Sequence, residues 1–318
     1  MIAVDDYVEF LGAEYLRGYV DDGGAAVKFV LPADGDEAAA RFSPALRARA
    51  EAAGFVVAEV DAVATKVHLV EQVFFAISRQ VPWDELAASM ARKALATAAY
   101  PVAEGDDLSV DAVAAAHGID ARELKRDVDR QLQQLVQRDY GMVQEFRIAM
   151  LRLCQACLRT GQVTDAEHAA VLDWLHGDLR QISALKTVLI FRRITRHNAR
   201  HLLFSLAHWL AVNGRAGLLL ELDIRRLGHA RRPSPEERSG FYYTKAAVLD
   251  AYEMLRQLVD GTDELSHCCV VVVAAPEFVT DPSRGIDAYQ ALKLRIFDEV
   301  HDRHRDNPYS SLIRLGAA

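Results

Sequence analysis

Four short apolar runs decide what this chain can become: AAVKFVL at 25–31, FVVAEVD at 55–61, GLLLELD at 217–223 and CCVVVVAA at 268–275. Strands this uniformly apolar must be covered on both faces, which parallel pairing with helical crossovers achieves. Between the first two runs lies DEAAARFSPALRARAEAAG, helical in composition and ending at Gly54, a residue suited to a left-handed helix cap. Strand, helix and strand make a βαβ unit, whose crossover is right-handed. Residues 5–20 read as a further helix, and 241–260 and the run IDAYQALKLRIFDEVHDRH as two more. From about residue 66 the pattern turns almost wholly helical. ISALKTVLIFRRITRHNARHLLFSLAHWLAVNG, at 182–214, reads as one long helix stopped by Asn213 and Gly214 and feeding straight into GLLLELD. The expected fold is α/β: a parallel sheet sandwiched by helices with a large all-α insertion. Residues 1–65 and 182–318 supply the two parts of the core, and 66–181 the insertion.

Composition narrows the function classes. Apolar residues make up 51% of 318, enough for a substantial core. The start MIAVDDYVEFLGAEYL places Asp5, Asp6 and Glu9 where a secretory leader needs basic and then apolar residues, and CCVVVVAA is too short to span a bilayer. A cytoplasmic chain without a membrane partner is expected. Its four cysteines, two of them adjacent at Cys268 and Cys269, form no spaced disulfide framework. A net charge of -8 works against attraction of the whole surface to nucleic acid or anionic lipid, although a local basic patch escapes that argument.

The strand GLLLELD ends in Asp223, as does the metal-holding strand of a P-loop nucleotidase. In such a protein the first strand leads into GxxxxGK[ST], whose glycines wrap phosphate in backbone N–H groups, whose lysine neutralises it and whose hydroxyl holds magnesium. Here the corresponding stretch is LPADGDEAAARF: one glycine, Gly35, acids at Asp34, Asp36 and Glu37, no lysine, and no hydroxyl before Ser43. These acids would repel a triphosphate. Ile224 follows Asp223 where a hydrolytic Glu is usual. Glu221, flanked by apolar residues and on the same strand face as Asp223, needs a partner or a raised pKa; an ion pair with a nearby arginine is the expectation.

The order of parts resembles a known family. WLHGDLRQI, RITRHNARHLLFSLAHWLAVNGRAGLLLELDIRRL, YYTKAAVLDAYEMLRQLVD and VVVVAAPEFVTDPSRGIDAYQALKLRI together resemble the ATP-binding domain proteins of BREX phage-defence loci, which look like AAA+ or STAND-type P-loop NTPases. The resemblance covers roughly residues 20–300. It implies that GLLLELD is the second acidic strand, VVVVAAPEF the sensor strand, and VKFVLPADGDEAAA the replacement of the phosphate loop. The chain departs from an active member at that loop, at Ile224, and at Ala275, where a polar sensor residue is expected. Those losses remove phosphate neutralisation, water positioning and γ-phosphate contact respectively. The expectation is a pseudo-ATPase without cofactor, acting as a structural or regulatory subunit. By the resemblance its partner would be an active ATPase, helicase, methyltransferase or nuclease of the same locus, or a second copy of itself. The alternative is a protein that holds ATP and Mg in a non-standard way through arginines and Asp223.

Two arginine clusters remain. FRRITRHNARH carries Arg192, Arg193, Arg196 and Arg200, and RRLGHARR carries Arg225, Arg226, Arg231 and Arg232. Were 182–214 one helix antiparallel to the following strand, both clusters would gather near the strand's C-terminal edge. They would then either salt-bridge to acids of the insertion or form an anion-binding, nucleic-acid-binding or subunit surface. LSVDAVAAAHGIDARELKRDVDRQL, at 108–132, has a helix-turn-helix rhythm, but acids interleave its second helix and packing is the default. Cys154 and Cys157 sit three apart on an amphipathic helix with no second ligand pair, so core packing is expected. No HExxH or GxSxG occurs.

Overall fold

The computed structural model describes residues 1–32, 36–229, 240–297 and 306–316. The chain opens with β1 (Ile2–Ala3) and α1 (Val4–Phe10), whose helical path continues to Val20 with a break at Arg17 and Gly18. Then follow β2 (Ala25–Pro32), α2 (Asp36–Ala52), β3 (Phe55–Asp61) and α3 (Val70–Ser78). A helical stretch supplies α4 (Trp83–Thr97), α5 (Val110–His117), α6 (Ala121–Leu132), α7 (Gln144–Cys157), α8 (Asp165–His176) and α9 (Ala199–Val212). The remainder forms β4 (Gly217–Asp223), α10 (Lys245–Asp260), β5 (Cys268–Val273), α11 (Glu277–Thr280), α12 (Gln290–Ile296) and β6 (Leu312–Gly316).

All six strands form one parallel sheet in the order β1-β6-β2-β5-β4-β3. This is an α/β fold consistent with a P-loop NTPase-like domain. Two strands exceed the sequence expectation. β1 is only two residues long and β6, LIRLG, only five, too brief to stand out as an apolar run; the pairing of β6 with both β1 and β2 is what makes it a strand. One layer of core lies between the sheet and α1 and α2, where Tyr7, Phe42 and Leu46 are buried against Val30, Leu219 and Val271. On β2 the alternate residue Phe29 stacks on Phe278 of α11, which in turn meets Tyr252 of α10 edge-on. At the edge strand, the side-chain amide of Gln80 bonds both the N–H and the C=O of Glu59 (3.0 and 2.8 Å), satisfying peptide groups that no further strand reaches.

Residue contacts divide the chain into a sheet unit, 1–80 with 214–318, and a helical unit, 81–213. The sequence reading placed the corresponding joints at 65/66 and 181/182. Within the helical unit, α4 packs on α6 and α7, with Trp83 edge-on to Phe146. Cys154 is fully buried there and burial pushes its thiol pKa up, while Cys157 is half-buried. α5 and α6 do form a helix-turn-helix around Gly118, at φ +66, and α6 buries Leu124, Val128 and Leu132.

The single long helix expected at 182–214 does not exist. A short turn at Ile182–Leu185 gives way to irregular chain, and helix resumes only at Ala199. Thr187, Val188, Ile190, Ile194 and Thr195 lie in that interval, and β-branched side chains lose rotamer freedom against the preceding helical turn. Asn198 Oδ1 accepts from the Thr195 N–H at 2.7 Å and its amide donates to the Arg193 carbonyl at 3.1 Å, fixing a turn just before the helix begins.

The seam between β4 and β5 is tight at its start. Gly217 has φ +147, and a Cβ there would stand 2.2 Å from the His267 carbonyl oxygen, which itself accepts from the Leu218 N–H at 2.8 Å. Gly217→Ala is expected to destabilise the chain by roughly 2 kcal/mol or more, read as a lower urea midpoint.

Candidate functional site

Parallel register aligns the acids of β3 and β4: Glu59 lies beside Glu221, and Asp61 beside Asp223. β5 separates β4 from β2, so the C-terminal ends of β2, β5 and β4 meet at the edge where open α/β sheets hold ligands. A cavity of about 210 Å³ opens there, lined by Pro32, Arg225, Gly228, Ala275, Glu277 and neighbours.

Asp223 is already engaged at this edge. Its Oδ1 accepts from the Arg225 N–H at 2.9 Å, a tight turn of an acid onto its own following backbone. The Arg225 guanidinium then closes on both oxygens, with Nε at 3.1 and 3.0 Å and a terminal nitrogen at 2.7 Å from Oδ2. Such bidentate charge-assisted pairing is the strongest ordinary use of an arginine. Ile224 turns into the core, 2% exposed, with its N–H on the Val273 carbonyl. Ala275 lines the cavity without a polar group. Arg226 donates to the Phe241 carbonyl at 3.0 Å. Asp34, Gly35, Arg231 and Arg232 lie outside the described residues; Asp36 begins α2.

The other arginine cluster belongs to the helical unit. Arg192, Arg193 and Arg196 are exposed on irregular chain, and Arg200 lies in α9 over the Phe204 ring. The sequence argument for gathering the two clusters required a continuous helix, and that premise fails. Arg192 does meet an acid of the insertion, Glu145, at 3.6 Å.

Glu221 is buried under α2, where Ser43 donates its hydroxyl to Oε1. The arginine expected at Glu221 is instead one helical turn further on: Arg47 bonds Glu59 through Nε at 2.7 Å. Ser43 and Arg47, four apart on α2, thus face neighbouring acids of the sheet, and the hydroxyl takes the buried one because it brings no second charge to desolvate. Burial raises the Glu221 pKa to about 7; Ser43 and Arg47 oppose the shift, whereas Glu59 and Asp223 add to it.

Three polar anchors were not legible as such. Lys28, on the same face and row of the sheet as Glu221 but across Val271, is buried and donates to the carbonyls of Tyr309 (2.7 Å) and Ser310 (3.1 Å) beneath the Tyr15 ring. Arg284 is 7% exposed and donates to the carbonyls of Leu227 (3.2 Å) and Tyr243 (2.7 Å), clipping the loop after β4 to the chain before α10. Ser43 was visible only as the first hydroxyl after the missing loop. Lone Lys, Arg and Ser residues in a strand, a polar loop and a helix carry no spacing signal.

A family model described as BREX system ATP-binding protein BrxC/D matches residues 17–317, nearly the whole chain. The chain belongs to this family. No curated protein and no solved structure matches it. The family's description names ATP. Among the described residues at the cavity, the arginine is held by Asp223, Glu277 adds a negative charge, and the volume is below the roughly 300–1,000 Å³ of ordinary small-molecule sites. Among the described residues at this edge, the two carboxylates of Asp223 and Glu277 stand against the one guanidinium of Arg225, a poor match to a triphosphate. No helix among the described residues is long and apolar enough to cross a membrane.

Glu221 makes stability depend on pH. Its folded pKa, about 7, lies above the ordinary 4.5, so the folded chain keeps a proton that the unfolded chain has lost. Relative to Glu221→Gln, the native protein is expected to lose stability as pH rises from about 4.5 to about 7 and to level off above, by about 3 kcal/mol in total. Urea titrations of both proteins across that range measure it.

Proposed function

We propose that this member of the BREX ATP-binding family acts by contact, as a structural or regulatory subunit that does not turn over ATP. One observation carries the reading: the acid that ends β4 is neutralised on both oxygens by Arg225, two residues on. A carboxylate so occupied has no oxygen directed at a metal ion, and displacing the guanidinium would leave a cation without its partner. The buried Ile224 and the apolar Ala275 support the same reading, since neither holds a water or contacts a γ-phosphate. What persists is the sheet with its helical layers, a rigid platform. Its partner is an active ATPase, helicase, methyltransferase or nuclease of the same defence locus.

Isothermal titration with ATP and magnesium is expected to show no micromolar binding, and phosphate release from ATP no turnover above buffer. Asp223→Ala is expected to change neither, while lowering stability by about 1–3 kcal/mol because Arg225 loses its acceptor. Micromolar binding with turnover that Asp223→Ala abolishes would show instead a working nucleotide site. A pull-down with the products of neighbouring genes identifies the partner, and the reading expects an active enzyme among those retained.

A further inference from the structure

A feature of the helical unit stands apart from the sheet's edge. From Leu179 to Leu220 the chain has arginines and lysine but not one Asp or Glu, in a protein of net charge -8. Its middle, 191–197, is the irregular chain before α9. Ile190 and Ile194 are buried there, 0% and 7% exposed, and act as two anchors. Trp174 Nε1 donates to the Arg192 carbonyl at 2.9 Å, and the Asn198 amide holds the Arg193 carbonyl. Backbone and apolar side chains are thus tied down, and what faces outward is Phe191, Arg192, Arg193 and Arg196.

The charges there are largely uncompensated. Arg193 donates to a backbone carbonyl, that of Arg180, which carries no charge to cancel its own. Among the described residues no carboxylate pairs with Arg196 in the ion pairs found. Arg192 meets Glu145 at 3.6 Å with its side chain 78% exposed, a contact that water and salt weaken. Phe191 is 61% exposed, an apolar ring left in solvent amid cations. Leu189 precedes it at φ +68, a backbone conformation uncommon for leucine.

The ring and Arg192 line a groove of about 860 Å³ whose walls include Gln133, Gln137, Gln144 and Leu189, and Arg193 and Arg196 follow on the same exposed stretch of chain outside it. Its two acids are occupied, Glu145 by Arg192 and Asp129 by the amides of Gln155 and Gln162. Carboxamides both donate and accept, as the edges of unpaired bases do. Cations for phosphates, an exposed ring for stacking and carboxamides for base edges are together the chemistry of a single-stranded nucleic-acid site. An acidic polypeptide would use the cations but has no need of the ring beside a neutral, amide-lined wall, and a duplex hides its base faces.

We infer that the helical unit binds single-stranded nucleic acid, with phosphates on Arg192, Arg193 and Arg196, a base stacked on Phe191, and adjoining base edges in the carboxamide groove. This site is independent of whether the sheet unit turns over nucleotide.

Fluorescence anisotropy of the full-length chain with labelled oligo-dT, oligo-U and a duplex, each of about 20 nucleotides per strand, tests it. Expected is binding of one or both single strands in preference to the duplex, with a log–log salt slope of about -2 for three phosphates. The triple variant R192Q/R193Q/R196Q should weaken binding about tenfold or more and flatten the slope. Phe191→Ala should weaken it roughly fivefold or more with the slope unchanged, and Phe191→Trp should restore it. All these side chains are exposed, and an unchanged circular dichroism spectrum confirms each fold. Four results would overturn the inference: no anisotropy rise at about 50 mM salt, a triple variant that binds like the native chain, tighter binding of the duplex, or Phe191→Ala indistinguishable from native. Polyglutamate competing as well as unlabelled oligo-dT would overturn it too, in favour of an acidic protein partner.

Discussion

Parallel pairing in strict register is the constraint from which the rest of the sheet unit follows. It forbids tight hairpins, so every neighbouring pair of strands needs a long connection. The connection between β3 and β4 is where the chain accommodates the whole helical unit. Register also sets acids side by side, Glu59 with Glu221 and Asp61 with Asp223, and each must then be compensated by what lies above it. Four acids find four partners: a hydroxyl for the most buried, Glu221, Arg47 one turn along for Glu59, the Val63 N–H for Asp61, and the chain's own next arginine for Asp223.

These pairings also set the chemistry at the sheet's C-terminal edge. The ends of β2, β5 and β4 converge there, and the described groups at that edge include Arg225 paired with Asp223, Ala275 and Glu277. Arg225 and Arg284 shape the same corner to different ends, the former by closing on Asp223 and the latter by holding the Leu227 and Tyr243 carbonyls. The corner is therefore braced by hydrogen bonds from two arginines.

Much of this could be read in the residues. Apolar runs bounded by helical stretches gave four of the six strands and the α/β class, because a strand buried on both faces has an unmistakable composition. The acid at 223, the isoleucine after it and the alanine at 275 were visible for the same reason: they occupy positions fixed relative to strand ends. What escaped was whatever depends on a partner distant in sequence. β6 is a strand through its neighbours, Ser43 matters through a carboxylate 178 residues away, and Lys28 through carbonyls more than 280 residues away. The helix drawn through 182–214 failed on a local signal that was present, the β-branched residues between Thr187 and Thr195, outweighed by the absence of Gly and Pro.

Gln80 has one more implication. Its carboxamide imitates a neighbouring strand at Glu59, the outward-facing peptide in the middle of β3. Any second chain that tried to lengthen the sheet past this edge would first have to evict that side chain and then satisfy the same two groups, gaining little. Strand addition at this peptide is thereby disfavoured on the β3 side of the sheet.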